Sequence, residues 1–325
     1  MRPAFRVSVN GSDITSKLSD RLVSLTVTDE SGVKSDRVEI VLDDRDQRLA
    51  IPPTKATLTV AIGYDSGLVE KGTYVVEEVE LSGPERRMVL RANATGASKG
   101  AGAARERSWD DTTIGDIAKS IASKHGWTAA VSPELASVRI EHIDQHENDL
   151  QFMSRLAADN GAVAKVTSGR LVVAPQGSGK TVSGKTVSGK VVSLSAGDVE
   201  EWSMTMAERG AYDGVKAMYH DVNGAVRGEA IAGTDGEFTH TLPHTYSTKA
   251  AAQRAAKSKL SSVQKGKARF SITSMPGDPT LTAEGRVKAQ GFRSGVDGEW
   301  TLVTVVHRLT DSSYTCSLEC ETPAE

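Results

Sequence analysis

Two stretches of two-residue alternation, separated by a stretch whose apolar residues fall at helical spacing, constrain this chain more than any other feature. From Ala4 to Ala94 apolar side chains recur at every second position in Phe5-Val7-Val9, Leu25-Val27, Val38-Ile40-Leu42, Leu58-Val60-Ile62, Val75 to Leu81 and Met88-Leu90. Gly, Asp and Pro stand between these runs, the signature of antiparallel strands, and six short strands suffice for a small barrel or sandwich. The alternation returns from Val199 in Trp202-Met204-Met206 and Val215-Ala217-Tyr219. It then gives way to one Ala-rich helix from Thr248 to about Ser262, and resumes at Phe270-Ile272, Val287-Ala289, Trp300 to Val306 and Tyr314 to Leu318.

A Gly/Ala-rich stretch from Ala94 to Ala104 ends the first β unit, and the period changes after it. Asp110, Asp111 and Thr112 are cap residues for a helix carrying Ile114, Ile117, Ala118, Ile121 and Ala122 on one face, with Gly126 after the last turn. A second helix starts at Asn148, carries Leu150, Phe152, Met153, Leu156 and Ala157, and stops at Gly161. Val163–Val166 and Leu171–Val173 then form a hairpin around Ser168-Gly169. The predicted fold is mainly β with an α+β insertion, two similar β barrels flanking a small α+β domain. The divisions are 1–95 for the first barrel, 105–176 for the insertion, 177–195 for a repeat linker or β-ribbon, and 196–325 for the second barrel with its one helix.

Length and charge narrow the function classes. A chain of 325 residues has room for two or three units. Aromatics are sparse at 5% and the 30 glycines generous, which suits many turns and short strands. With a net charge of −3 and a pI near 6.2 there is no basic stripe to neutralise phosphates, so specific nucleic-acid binding is not expected. The N-terminus lacks an apolar signal core and no run is long enough to span a bilayer, so the chain is expected to be made and kept in the cytosol without a membrane partner.

The loudest motif is misleading. Gly179 to Thr186 fits the phosphate-loop pattern G-x-x-x-x-G-K-[ST], with Lys185 and Thr186 as its functional pair. A working phosphate loop follows a buried strand and opens a helix, whereas Val182, Val187 and Val191 are β-branched and no helical face follows. The segment from Ser178 to Ser193 is a five-residue tandem repeat, which generates the pattern by accident. No cofactor is therefore assigned.

Asp43, Asp44, Arg45 and Asp46 crowd acidic oxygens but miss the calcium-loop spacing, and are expected to form a turn with Arg45 balancing charge. His142 and His146 with Glu141 and Glu147 form the one histidine-carboxylate cluster, yet Ile140 to Asp144 reads as strand into loop, where such a pair shares no helix face. Cys316 and Cys320 in C-S-L-E-C sit four residues apart on a strand, too far for an easy disulfide, and are expected as two free core thiols. No nucleophile elbow or Cys-His arrangement occurs, and 42 acidic residues nominate no catalytic pair. No catalytic, cofactor-binding or metal residue is assigned, and the chain is not expected to be an enzyme. Two rivals remain: a nucleotide-dependent enzyme resting on Lys185 and Thr186, and a peptidoglycan-binding or cleaving module between Trp109 and Gly161.

An ordered set of segments resembles the phage late control protein D family, the hubs of contractile tails, whose relatives include R-type pyocin hubs and the N-terminal half of the type VI secretion valine-glycine repeat spike. The segments are Leu42 to Asp46, Ile62-Gly63-Tyr64, Gly72-Thr73-Tyr74 through Glu78-Val79, and Ser108 to Ile117. They continue with Asn148 to Phe152, Arg155-Leu156-Ala157, Pro175-Gln176-Gly177 and the repeat after it, Gly298-Glu299-Trp300, and Val306 to Leu309. The resemblance implies two related β-barrel tube domains, and three chains forming a homotrimeric ring of six barrels that connects a tail tube to a central spike. Spike and tube proteins are the implied partners, with tape-measure and baseplate wedge proteins as further neighbours in the particle. The chain ends at Glu325 soon after its last strand, so the spike is expected to be a separate protein.

Overall fold

A computed structural model describes residues 1–32, 35–94, 104–177, 191–206, 212–221, 224–265 and 268–323. The N-terminal half contributes β1 (Pro3–Val9), β2 (Ser12–Asp13), the short helix α1 (Thr15–Leu18), β3 (Leu22–Glu30), β4 (Arg37–Asp43), β5 (Thr57–Tyr64), β6 (Gly67–Ser82) and β7 (Arg87–Ala94). The insertion holds β8 (Arg107–Thr113), α2 (Ile114–Lys124), β9 (Thr128–Val131), α3 (Pro133–Ala136), β10 (Arg139–Gln145), α4 (Asp149–Asp159), β11 (Ala162–Thr167) and β12 (Arg170–Pro175). The C-terminal half runs through β13 (Val192–Ser195), β14 (Glu201–Met206), β15 (Gly214–Asp221), β16 (Val226–Gly233), β17 (Thr239–Tyr246), α5 (Lys249–Lys265), β18 (Ala268–Pro276), β19 (Arg286–Gln290), β20 (Gly298–Leu309) and β21 (Tyr314–Glu321).

The alternating runs become strands because one face of each is buried. Val38, Ile40 and Leu42 of β4, Met88 and Leu90 of β7, Phe270 and Ile272 of β18, and Cys316, Leu318 and Cys320 of β21 all lie within one core shared by the two halves. Those halves join edge to edge in a single sheet of thirteen strands, ordered β14-β18-β21-β20-β3-β4-β7-β6-β5-β1-β2, with β19 pairing β20 and β13 pairing β19.

The sheet repeats itself. The order β3-β4-β7-β6-β5 of the first half returns as β14-β18-β21-β20-β19 in the second. β6 pairs β5 through its first half and β7 through its second, as β20 pairs β19 and then β21. A bulge lies between Val76 and Glu78 against β7, and another between Leu302 and Thr304 against β21. At that bulge Lys55 N–H donates to the Val76 carbonyl (2.7 Å) and Val76 N–H to Ala56 (2.9 Å), just as Glu284 donates to Leu302 (2.8 Å) and Leu302 to Gly285 (2.9 Å). Lys55 and Glu284 both take positive φ, 74° and 64°, and four residues before each bulged position stands a glycine at φ 128° (Gly72) or 143° (Gly298). The repeat is imperfect at its far strand, since β1 is antiparallel to β5 whereas β13 is parallel to β19.

The insertion has its own core. Thr113, rather than the preceding Asp-Asp-Thr, caps α2 by accepting Asp116 N–H (3.1 Å), because residues 107–113 are drawn into strand β8 against β10. Asn148 caps α4 by accepting Gln151 N–H (2.9 Å), and Gly126 and Gly161 follow the two helices at φ 72° and 68°. Ile117, Ile121, Phe152 and Leu156 pack on the β11–β12 hairpin, itself extended by parallel β9.

Residues 214–265 depart from expectation. The helix assigned to the second barrel, α5, lies instead on a separate sheet ordered β16-β15-β17, burying Ala252 and Ala256 against Val215, Ala217, Ala230 and Ala232. It also meets the insertion: Arg254 Nε donates to Asn160 Oδ1 (3.0 Å), and the Ser258 hydroxyl to the Ala158 carbonyl. β16 and β17 carry no strong alternation, and Pro243 sits within β17, an edge strand where a missing N–H is tolerated.

The second half is pinned by an aromatic nest in which Phe270 meets Trp202, Phe292 and Trp300 at centroid distances of 6.2, 5.3 and 5.3 Å. Phe270→Ala is expected to cost about 3–5 kcal/mol, read as a lower urea midpoint with the slope of the transition unchanged.

Candidate functional site

The joint between the halves is the antiparallel pair β3–β20, in which Leu25, Val27 and Asp29 stand opposite Leu309, His307 and Val305. Two of these three pairs are apolar or uncharged, and the third brings a carboxylate to the seam. Asp29 Oδ2 accepts Ala283 N–H (3.0 Å) from the loop before β19, and Asp29 Oδ1 accepts Lys165 Nζ (3.1 Å) from β11 of the insertion. Lys165 also donates to Asp36 Oδ1 and to the Glu30 carbonyl, both at 2.6 Å. One carboxylate thereby touches all three parts of the chain.

The charges are arranged to survive burial. Burial raises the Asp29 carboxyl, but the Lys165 ammonium and hydrogen bonds from Asp36, Lys165 and Ala283 hold it below the ordinary range. Burial and the neighbouring Asp29 charge push Asp36 up to about 7, so the two carboxyls share a proton near neutrality. Lys165 is shifted upward: burial opposes its charge, and the two aspartates outweigh it. Lys71 donates to the Leu281 carbonyl (3.0 Å), and burial lowers it to about 8. His307 is fully buried and held near 3 by burial and the Lys71 charge. It is therefore neutral, with Nε2 donating to Leu281 (3.0 Å) and Nδ1 accepting from the Tyr314 hydroxyl (2.9 Å).

The insertion is fastened at its entry by a second buried carboxylate. Asp149 in the first turn of α4 receives Lys124 (2.7 Å), His125 (2.9 Å), Arg107 (3.3 Å) and Gln145 (2.9 Å). Burial opposes its ionisation, and these donors nevertheless hold it well below the usual carboxylate range.

The residues weighed in the sequence fall as follows. Asp43 to Asp46 form a turn in which Asp46 takes a two-pronged contact from Arg21 (2.7 Å each), while Arg45 reaches Asp20, so Arg21 is the main counter-charge. His142 lies on strand β10 with Nδ1 2.6 Å from Asp110, and lines a cleft of about 810 Å³ between the insertion and the β15–β17 unit. His146, His220 and His244 line the same cleft, a convergence across 103 residues that no local motif signals. Among the described residues no three His, Cys, Asp or Glu side chains gather to hold a metal ion. Cys316 and Cys320 are free and buried on one face of β21. Gly179 to Thr186, with Lys185 and Thr186, lies outside the described residues. No helix among the described residues is long and apolar enough to cross a membrane.

The model of the family described as phage tail baseplate hub (GPD) matches residues 36–313. The chain belongs to that family. The probable baseplate hub protein of Escherichia phage P2 is 35% identical, over 99% of this chain and 93% of that protein, and its counterpart in Escherichia phage 186 is 34% identical over the same shares. The tail protein of Neisseria meningitidis MC58 has the same fold, with a TM-score of 0.72 at 16% identity over 99% of this chain and 97% of its own. As a baseplate hub, the chain is a structural part of a phage tail particle.

Removing Lys165 leaves two buried carboxylates facing each other. Lys165→Met is expected to cost about 3–5 kcal/mol at pH 7.5 and less at pH 5. The pH dependence has a definite sign. Because Asp36 is raised from its ordinary value near 3.8 to about 7, the folded chain keeps a proton between these pH values that the unfolded chain releases, and stability from this group falls as pH rises through that window. The melting temperature of the native chain minus that of Asp36→Asn should therefore decrease from pH 4.5 to 7.5. A difference that stays level across that range would contradict the assignment.

Proposed function

We propose that three copies of this chain form a ring of six tube-type units, and that the ring connects a sixfold tail tube to a threefold spike. The observation that carries the reading is the internal repeat: a chain holding two versions of one five-strand order presents six similar units when three copies close. Its work is geometric. The buried titratable groups at the joint are engaged with one another, and His307 and Cys316 are sealed in the core, where burial lifts the thiol to about 11. A thiol so protonated is a poor nucleophile, which supports a non-catalytic role. Spike and tube proteins are the direct partners, and tape-measure and wedge proteins lie further out.

Interfaces of a permanent ring should bury roughly 2,000 Å² or more per pair, and the isolated chain can stay monomeric if closure waits for the spike. Electron cryomicroscopy of assembled tails should count three copies at the tube–spike junction; one or six would overturn the proposal. Lys185→Ala should leave tail assembly unchanged, and an ATPase rate lost on that substitution would favour the nucleotide-dependent alternative.

A further inference from the structure

The repeat also identifies the strands that meet between copies. Inside the chain, residues 304–309 of β20 are covered on one side by β21 and on the other by β3. The matched bulges and hydrogen bonds align Leu302 with Val76, so residues 78–83 occupy the same place in the first half. There β6 pairs β7 on one side, and its pairing with β5 stops at Val75, so the other edge is open among the described residues. β3 has its own counterpart in β14: Met204 faces Phe270 and Trp202 faces Ile272 as Val27 faces Val38 and Leu25 faces Ile40. β14 pairs β18 on one side, and among the described residues no strand covers the other. The chain thus contains one complete joint and, at two separate places, the two unmatched halves of another.

The side chains agree with the backbone. Val79 and Leu81 lie opposite Leu90 and Met88 on the core face of the sheet, yet Leu81 is 54% exposed. On β14 the inward-facing Trp202 and Met206 are 36% and 69% exposed. Glu78 and Glu80 lie on the opposite face, gathered with Glu39 around Arg91 at 2.8–3.1 Å, so covering this edge places no carboxylate in the core. Open edges with wet apolar side chains invite pairing, and since the two edges differ, one copy's β6 fits its neighbour's β14 but not its neighbour's β6.

We propose that β6 of one copy pairs antiparallel with β14 of the next copy in the register of the in-chain joint. Transferred from the β3–β20 pairs, that register sets Val79 opposite Met206, Glu80 opposite Thr205, Leu81 opposite Met204 and Ser82 opposite Ser203. The ring reading above is assumed, and the partner is a second copy of this chain. In the in-chain joint Ser31 N–H donates to the Val303 carbonyl (2.8 Å), which makes Glu30–Thr304, and every second pair from it, the closer non-hydrogen-bonded kind. Ser82 and Ser203 correspond to such a pair, and their Cβ atoms should come within disulfide reach.

The test uses full-length chain in assembled tails. Ser82→Cys combined with Ser203→Cys should give disulfide-linked multimers on a non-reducing gel after mild oxidation, whereas either single variant, or Ser82→Cys with Thr205→Cys, should stay unlinked. Tails that contain the doubly substituted chain without linkage, or linkage in the offset pair instead, would overturn the pairing. Met206→Asp supplies an independent measure: Met206 is exposed in the single chain, so the purified chain should keep its circular dichroism and melting temperature while its incorporation into tails is lost, and normal incorporation would count against the proposal. Three copies without linkage would sink the strand pairing and leave the ring intact. Linkage with a different copy number would do the reverse.

Discussion

The contact of Lys165 with Asp29 and Asp36 is what the rest of the architecture leans on. Asp29 sits on the strand where the halves join, takes a backbone N–H from the loop leading into β19, and takes the ammonium of a lysine carried in by the insertion. Any shift of one part relative to another separates at least one of these partners. A buried ion pair adds little net stability over an apolar replacement, but it is costly to break, so its value here lies in fixing position. The insertion, which has a core of its own, is held against the joint in one orientation for that reason.

The sequence made individual strands and helices readable where a single face is buried. β4, β7, β18 and β21 alternate cleanly because each packs one face on the shared core, and α2 and α4 end at glycines that their C-termini require. What could not be read depends on distance along the chain. Nothing in the run from Ala162 to Thr167 distinguishes Lys165 from an ordinary outward-facing strand residue, and its partners lie about 130 positions away. β16 and β17 were illegible because an Ala-rich helix packs closely on their sheet, so the buried positions of β16 are the small Ala230 and Ala232 and no bulky apolar side chain marks the inward face.

The family segments gain a physical meaning from the repeat. Gly72-Thr73-Tyr74 and Gly298-Glu299-Trp300 begin the same structural feature twice, a glycine at positive φ followed four and five residues on by the bulge that lets one long strand change partners. Val306 to Leu309 lies in the seam itself, where His307 is kept neutral between a carbonyl and a phenol. By contrast the phosphate-loop pattern falls within a short tandem repeat that lies outside the described residues.

The alignment of the halves places Met206 where the first half has Asp29, and Ala268 where it has Asp36. A folding error that set β14 against the chain's own β20 would therefore deliver a thioether and a methyl group to Lys165 and leave a cation buried without a counter-charge. In that arrangement Lys165 would lose both of its carboxylate partners, which the native pairing of β3 supplies. The ion cluster thus favours one of two similar strands at this edge, and charge rather than strand pattern distinguishes them.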